Sequence, residues 1–174
     1  MDARSRSGSR SRSQRARVAV VAGLVVAAAT VGLAGCGSDD DTVTVTHGPV
    51  PAPVLIDLGD EGPSVGDQRI FHFEAASGDT KVMTDWIMTT TAIDSPDASV
   101  ETRMTSAVFL FGDLDDSLVL QGTGWYPGEG ATLEVSATLV RAIIGGTGRY
   151  EGATGHVEST RNPDDTWVHV FHID

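Results

Sequence analysis

The run Ala142-Ile143-Ile144-Gly145-Gly146-Thr147-Gly148 has the residue types of a strand leading into a phosphate-binding glycine loop. A dinucleotide site of that kind needs a helix directly after the turn, because the free N–H groups of the helix N-terminus hold the pyrophosphate. The turn leads instead to Gly152, Gly155 and the polar, strand-like His156-Val157-Glu158-Ser159-Thr160, with Glu151 where the third glycine of G-x-G-x-x-G belongs. Only 26 residues remain after Gly148, too few for further strand and helix repeats. A structural role is therefore expected for Gly145, Gly146, Gly148, Gly152 and Gly155. They would shape a tight hairpin or bulged corner, with Tyr150 able to pack over it.

Five histidines raise the question of a metal. His169 and His172 have an H-x-x-H spacing, but on the strand Trp167–Ile173 they point to opposite faces, so one cannot chelate with the other. His72 shares a face with Glu74, which is an acid–base pair if functional and an ordinary solvent-face pair otherwise; the second reading is preferred. Asp113-Leu114-Asp115-Asp116 lacks the glycine and the later glutamate of an EF-hand loop and reads as a solvated acidic turn. There is no G-x-S-x-G, and no Ser–His–Asp set that sequence alone could assemble. The expectation is no metal, no cofactor and no assignable catalytic residue. Trp86, Trp125, Tyr126, Trp167 and Phe109 read as core or rim residues, which in a small barrel also line any pocket.

Cys36 is the single cysteine. Six arginines fall within residues 1–17, and Val18 to Leu33 carries no charge, the layout of an export leader. Leu33-Ala34-Gly35-Cys36 at its end resembles the lipobox of bacterial lipoproteins, in which the cysteine is acylated and becomes the mature N-terminus. An uncleaved anchor is the alternative, but sixteen residues are short for a hydrocarbon core of roughly 30 Å. The expected location is the extracytoplasmic face of the cell membrane, held by lipid. The whole chain carries 12 basic and 24 acidic side chains. Loss of residues 1–35 removes six arginines and Asp2, leaving a net charge of −17. Such a field repels phosphate backbones, so nucleic acid is excluded as a partner.

These features have to be positioned by the remaining chain. Residues 36–53 are polar, acidic and then proline-alternating, and read as the acylated N-terminus and a tether. Thr42–Thr46 has the alternation of an edge strand, but is assigned to the tether. From Val54 onward no helical period is found. Strands are expected near Val54–Leu58, Gln68–Ala75, Lys81–Thr91, Val100–Phe111, Ser117–Gly122, Thr132–Ile144, Gly152–Ser159 and Thr166–Ile173. Such a count points to an all-β sandwich or small closed barrel over residues 54–174.

The segments Phe111-Gly112-Asp113, Ser117–Gly122 and Ala142–Val157 resemble, in order and spacing, the core signature of the allene oxide cyclase and dirigent superfamily, and Gly62–Asp67 resembles the barrel entry of bacterial relatives. The resemblance runs from about Leu58 to Asp174. It implies an eight-stranded antiparallel β-barrel with an apolar cavity. Members of that superfamily cyclise an epoxide, steer the coupling of phenoxy radicals or close rings in polyketide products, mostly by shaping a substrate in the cavity. The motif holding the plant cyclases' bound water is not found here, so no catalytic residue is carried over. The first functional expectation is a binding module for an apolar small molecule or an envelope partner. The second is a cyclase or isomerase that needs no cofactor. A cavity holding a buried, perturbed histidine or carboxylate would favour the enzyme, and a filled interior a structural role.

Overall fold

The computed structural model describes residues 41–59, 61–93, 100–112, 115–127 and 132–174. Cys36 and the leader lie outside the described residues, as do Asp113 and Leu114 of the acidic turn. Nine strands among the described residues form one antiparallel sheet: β1 (Asp41–His47), β2 (Val54–Ile56), β3 (Gln68–Ser77), β4 (Thr80–Ile93), β5 (Val100–Phe111), β6 (Asp116–Pro127), β7 (Thr138–Thr147), β8 (Gly155–Arg161) and β9 (Trp167–Ile173). Consecutive strands from β3 to β9 are hydrogen-bonded neighbours, and β1 joins β9 to β3, closing an eight-stranded barrel. The three-residue β2 lies outside that ring, paired with the start of β3.

Closure corrects the reading of Asp41–His47 as tether. These residues pair with β9 along their whole length, from Asp41 against Ile173 to His47 against Trp167, and Thr46 meets Ala76 of β3. Without them β9 would present a row of unpaired backbone groups, and β3 would lose its contact at Ala76. A fully buried Val45 would also be lost from the core. The expected strand Thr132–Ile144 also starts late, at Thr138. Residues 132–137 instead fold back on the barrel end, where Ser136 takes φ +64 and donates its N–H to the Arg161 carbonyl. Arg161 Nη1 donates in turn to the Leu133 carbonyl at 2.7 Å.

The glycine-rich corner has two kinds of constraint. A bulge sets Val119 opposite Gly145 and Leu120 opposite Ile143, leaving Ile144 as the extra residue. Gly146 then passes so close to the Ser117 and Tyr150 carbonyls that a Cβ would overlap them, and Tyr150 packs over it. Gly155 combines φ +121 with a similar approach to the His172 carbonyl. No phosphate-binding helix comes after the corner; Gly148–Tyr150 is a single 3₁₀ turn.

Inside, the end of the barrel near this corner is filled. Phe109, Phe111, Leu118, Leu120, Val157 and Phe171 are almost completely buried, and the Phe109 and Phe171 rings meet edge to face at 5.0 Å. Toward the opposite end the inward positions turn polar: Glu101, Arg103 and Thr105 on β5, Arg69 on β3, Arg141 on β7 and His169 on β9. One strand face thus runs from aromatic core to charged groups, and it is the charged end that opens.

Candidate functional site

At this end a chamber of about 50 Å³ lies among His47, Phe73, Trp86, Tyr126, Arg141 and His169. Phe71, Met88, Tyr126 and Trp167 also line a wider mouth of about 390 Å³, which adds Pro49–Pro53, Arg69, Arg103 and Arg161. Strand register explains the placement. His47, Arg69, Glu101, Tyr126, Arg161 and Trp167 all fall within two residues of the strand ends that meet here.

Two histidines occupy the floor. His47 Nε2 and His169 Nε2 are 3.1 Å apart, His47 Nδ1 lies 2.6 Å from the Gly48 carbonyl, and His169 Nδ1 lies 2.8 Å from Ser159 Oγ. A carbonyl only accepts, so neutral His47 carries its proton on Nδ1 and offers Nε2 as acceptor. His169 then donates from Nε2 and accepts the Ser159 hydroxyl at Nδ1. Every ring nitrogen is satisfied with both rings neutral. The surroundings reinforce that state: burial lowers the His169 pKa well below the ordinary value, helped by His47 and Arg141, and burial likewise lowers His47.

These shifts make stability depend on pH. An unfolded histidine takes up its proton near pH 6.5, whereas these two resist it in the folded barrel. Acidification below about pH 6.5 therefore loads protons on the unfolded chain first, and stability falls as pH falls; above that value it is fully present. The slope is at most about 1.4 kcal/mol per pH unit for each histidine, and His169, the more strongly shifted of the two, should contribute the larger part. Urea unfolding between pH 7.5 and 5.5 checks this, with His169→Phe expected to remove the larger part of the slope; an unchanged slope in that variant would count against the assignment.

Arg141 stands above the histidines. It is 5% exposed, donates from Nη2 to Tyr126 Oη at 2.6 Å and lies 5.5 Å from the Trp86 ring centre. Gly122 on β6 leaves room for its stem, since a Cβ there would come within 2.9 Å of Arg141 Cγ. No carboxylate among the described residues pairs with Arg141. Burial lowers its pKa against the pull of Tyr126, but a guanidinium keeps its proton at neutral pH. Arg141 Nε and Trp86 Nε1 are both buried donors without an acceptor among the described residues, and both residues line the chamber.

At the mouth Glu101 is fully buried between two arginines. Its carboxylate accepts from Arg103 Nε at 2.9 Å, Arg69 Nη2 at 3.3 Å and Thr90 Oγ1 at 3.0 Å. Burial pushes the Glu101 carboxyl up, but Arg103, Thr90 and Arg69 together outweigh it and hold the group below its ordinary range. Arg103 also covers the Tyr126 ring at 4.7 Å.

Solved structures share this architecture. The chain superposes on a pyocyanin demethylase with a TM-score of 0.57 at 19% identity, over 77% of this chain and all of the other. The fold is that of the demethylase, a closed eight-stranded antiparallel β-barrel. A pterocarpan synthase dirigent protein also matches, with a TM-score of 0.49 at 16% identity over 76% of this chain and 83% of its own. No family model matches the chain, and no curated protein sequence matches it.

Within this barrel the candidate residues separate cleanly. His169 faces the chamber and His172 the outside, as opposite faces of β9 require. His72 pairs with Asp85 at 2.6 Å and Glu74 with Lys81, both in solvent, so His72 and Glu74 share an outer face without contacting the chamber. Asp116 accepts the Arg149 N–H at 2.9 Å and pairs with its guanidinium, binding the acidic turn to the glycine corner. Trp86, Tyr126, Trp167 and Phe109 are interior, whereas Trp125 points out at 76% exposure. Sequence reasoning did not single out His47, Arg69, Glu101, Arg103 or Arg141. A signal was present in β5, where a two-residue period places Glu101 and Arg103 on the face of Phe109 and Phe111.

Proposed function

We propose that the barrel binds a small, planar, largely apolar molecule carrying one acidic oxygen, seated with that oxygen on Arg141. The observation that carries this reading is the pair of buried donors lining the chamber, Arg141 Nε on β7 and Trp86 Nε1 on β4, with no acceptor among the described residues. A desolvated guanidinium gains most from an anionic acceptor, and the aromatic walls supply apolar burial and ring contact. Export and lipidation at Cys36, expected from the leader, would place this barrel outside the cell. The likeness to a pyocyanin demethylase, whose name records a small-molecule substrate, is in keeping with a ligand-binding chamber.

The test uses quenching of tryptophan fluorescence, since Trp86 and Trp167 line the chamber. 2-Naphthoate should bind more tightly than 2-naphthamide by about 10- to 100-fold, the range of a charge-assisted hydrogen bond worth about 1.5–3 kcal/mol. Arg141→Met should abolish the preference and leave the weak amide binding unchanged. It should not lower the melting temperature, because removing a buried charge without a carboxylate partner does not leave another one stranded. Equal affinity for acid and amide in the wild-type chain would overturn the proposal.

A second reading, a proton-transferring isomerase or cyclase, is favoured by Tyr126. Its hydroxyl accepts from Arg141 and so keeps its own proton for a ligand oxygen. Together the two groups could stabilise charge developing on that oxygen during enolisation or ring closure. The histidine pair, with all four ring nitrogens engaged, offers no free base in this arrangement.

A further inference from the structure

The outer wall of the barrel carries a second group of potential ligands, unrelated to the chamber. His156 on β8 and His172 on β9 are directly paired across the strands, and their rings stack 4.6 Å apart at 14°. Glu158 lies two residues beyond His156 and so projects from the same face. One ligand atom from each of His156, Glu158 and His172 lies within 4.8 Å of the others. His156 and Glu158 are exposed and His172 is partly so, which leaves their side-chain torsions free to adjust.

From this juxtaposition we infer that His156, Glu158 and His172 form a surface site for a borderline divalent transition metal, with Zn²⁺ as the reference ion. The chemistry of the donors selects the metal class. Two imidazoles and one carboxylate suit zinc or copper, whereas a single carboxylate is a poor site for calcium or magnesium, which demand oxygen ligands. Tetrahedral zinc with bonds of about 2.1 Å needs its ligands about 3.4 Å apart. To reach that value the two rings have to turn out of their stacked arrangement toward a common point, which their exposed side-chain torsions allow. Both strands belong to the closed barrel, so the Cα positions of the three ligands are held by ladder hydrogen bonds on either side. Three protein ligands leave at least one position open to water or to a donor from another molecule. The H-x-x-H spacing of His169 and His172 suggests the wrong pair. The partner of His172 is 16 positions away in sequence and adjacent in space.

Calorimetric titration of the full chain with Zn²⁺ alone, in a Cys36→Ser background so that no thiolate competes, tests the site. One equivalent should bind in the micromolar range, and Ca²⁺ should not bind. His156→Ala and His172→Ala should each weaken Zn²⁺ binding by at least about tenfold, Glu158→Gln by less, and the exposed control His72→Ala not at all. All four side chains reach solvent, so far-ultraviolet circular dichroism and the melting temperature without metal should stay at wild-type values. The inference is overturned if the wild-type chain binds Zn²⁺ no more tightly than the double variant H156A/H172A. It is equally overturned if His72→Ala weakens binding as much as His156→Ala does.

Discussion

Glu101→Gln is expected to cost about 3–5 kcal/mol of folding stability, a large share of the 5–15 kcal/mol that holds a typical domain together. The carboxylate is fully buried and its two guanidinium partners, Arg69 and Arg103, are almost as deeply buried. Removing the negative charge leaves two cations facing each other in a low-dielectric mouth, and burial, with repulsion from Arg103, already depresses the Arg69 pKa. The loss should come mainly from repulsion between the two guanidiniums once the carboxylate charge between them is gone. The triple variant Arg69→Met/Glu101→Leu/Arg103→Met should therefore recover most of it, since apolar replacement of a whole buried ion cluster is often neutral or better. Urea unfolding of the single and triple variants decides the matter. A single variant within about 1 kcal/mol of wild type would show that water reaches the cluster and screens it. The acid limb agrees in sign: a carboxyl held below its ordinary range contributes stability that is present above about pH 4.3 and lost as pH falls through the folded value.

Deleting β1 should have a larger effect still. A chain beginning at Val54 retains β2 to β9 but opens the ring between β9 and β3, and it loses Val45 from the core and His47 from the chamber floor. Full burial of one valine is worth about 1.5–3 kcal/mol. The broken ladder adds seven unpaired residues along β9, a flat edge able to capture a second chain. His169 would also lose its Nε2 partner and be left as a buried donor. The expected result is a protein that aggregates or melts without a cooperative transition, while a chain beginning at Asp41 melts cooperatively near the full-length temperature. Differential scanning calorimetry of the two truncations separates the cases. A cooperative, monomeric product from Val54 onward would mean that β1 covers the barrel without completing it.

What could be read from the sequence was local. Two-residue alternation marked the strands, and β5 is placed as read, Val100–Phe111. Polar residues after Gly148 ruled out the nucleotide loop, because a helix N-terminus is a neighbour in sequence as well as in space. The arginine-rich and then apolar run of residues 1–35 before Cys36, read as an export leader, is likewise a feature of consecutive residues. Tertiary structure alone decided which face turns inward. Alternation gives two faces and no inside, so Glu101 and Arg103 enter the barrel because Phe109 and Phe111, on the same side of β5, have to be buried. Thr42–Thr46 had the right pattern for a strand but too little apolar surface to show that it closes a ring. Its hydrogen-bonding partners lie more than a hundred residues away on β9. His47 against His169, Arg141 against Tyr126 and His156 beside His172 are all cross-strand pairs. Their meeting depends on register between strands, which side-chain spacing along one strand cannot encode.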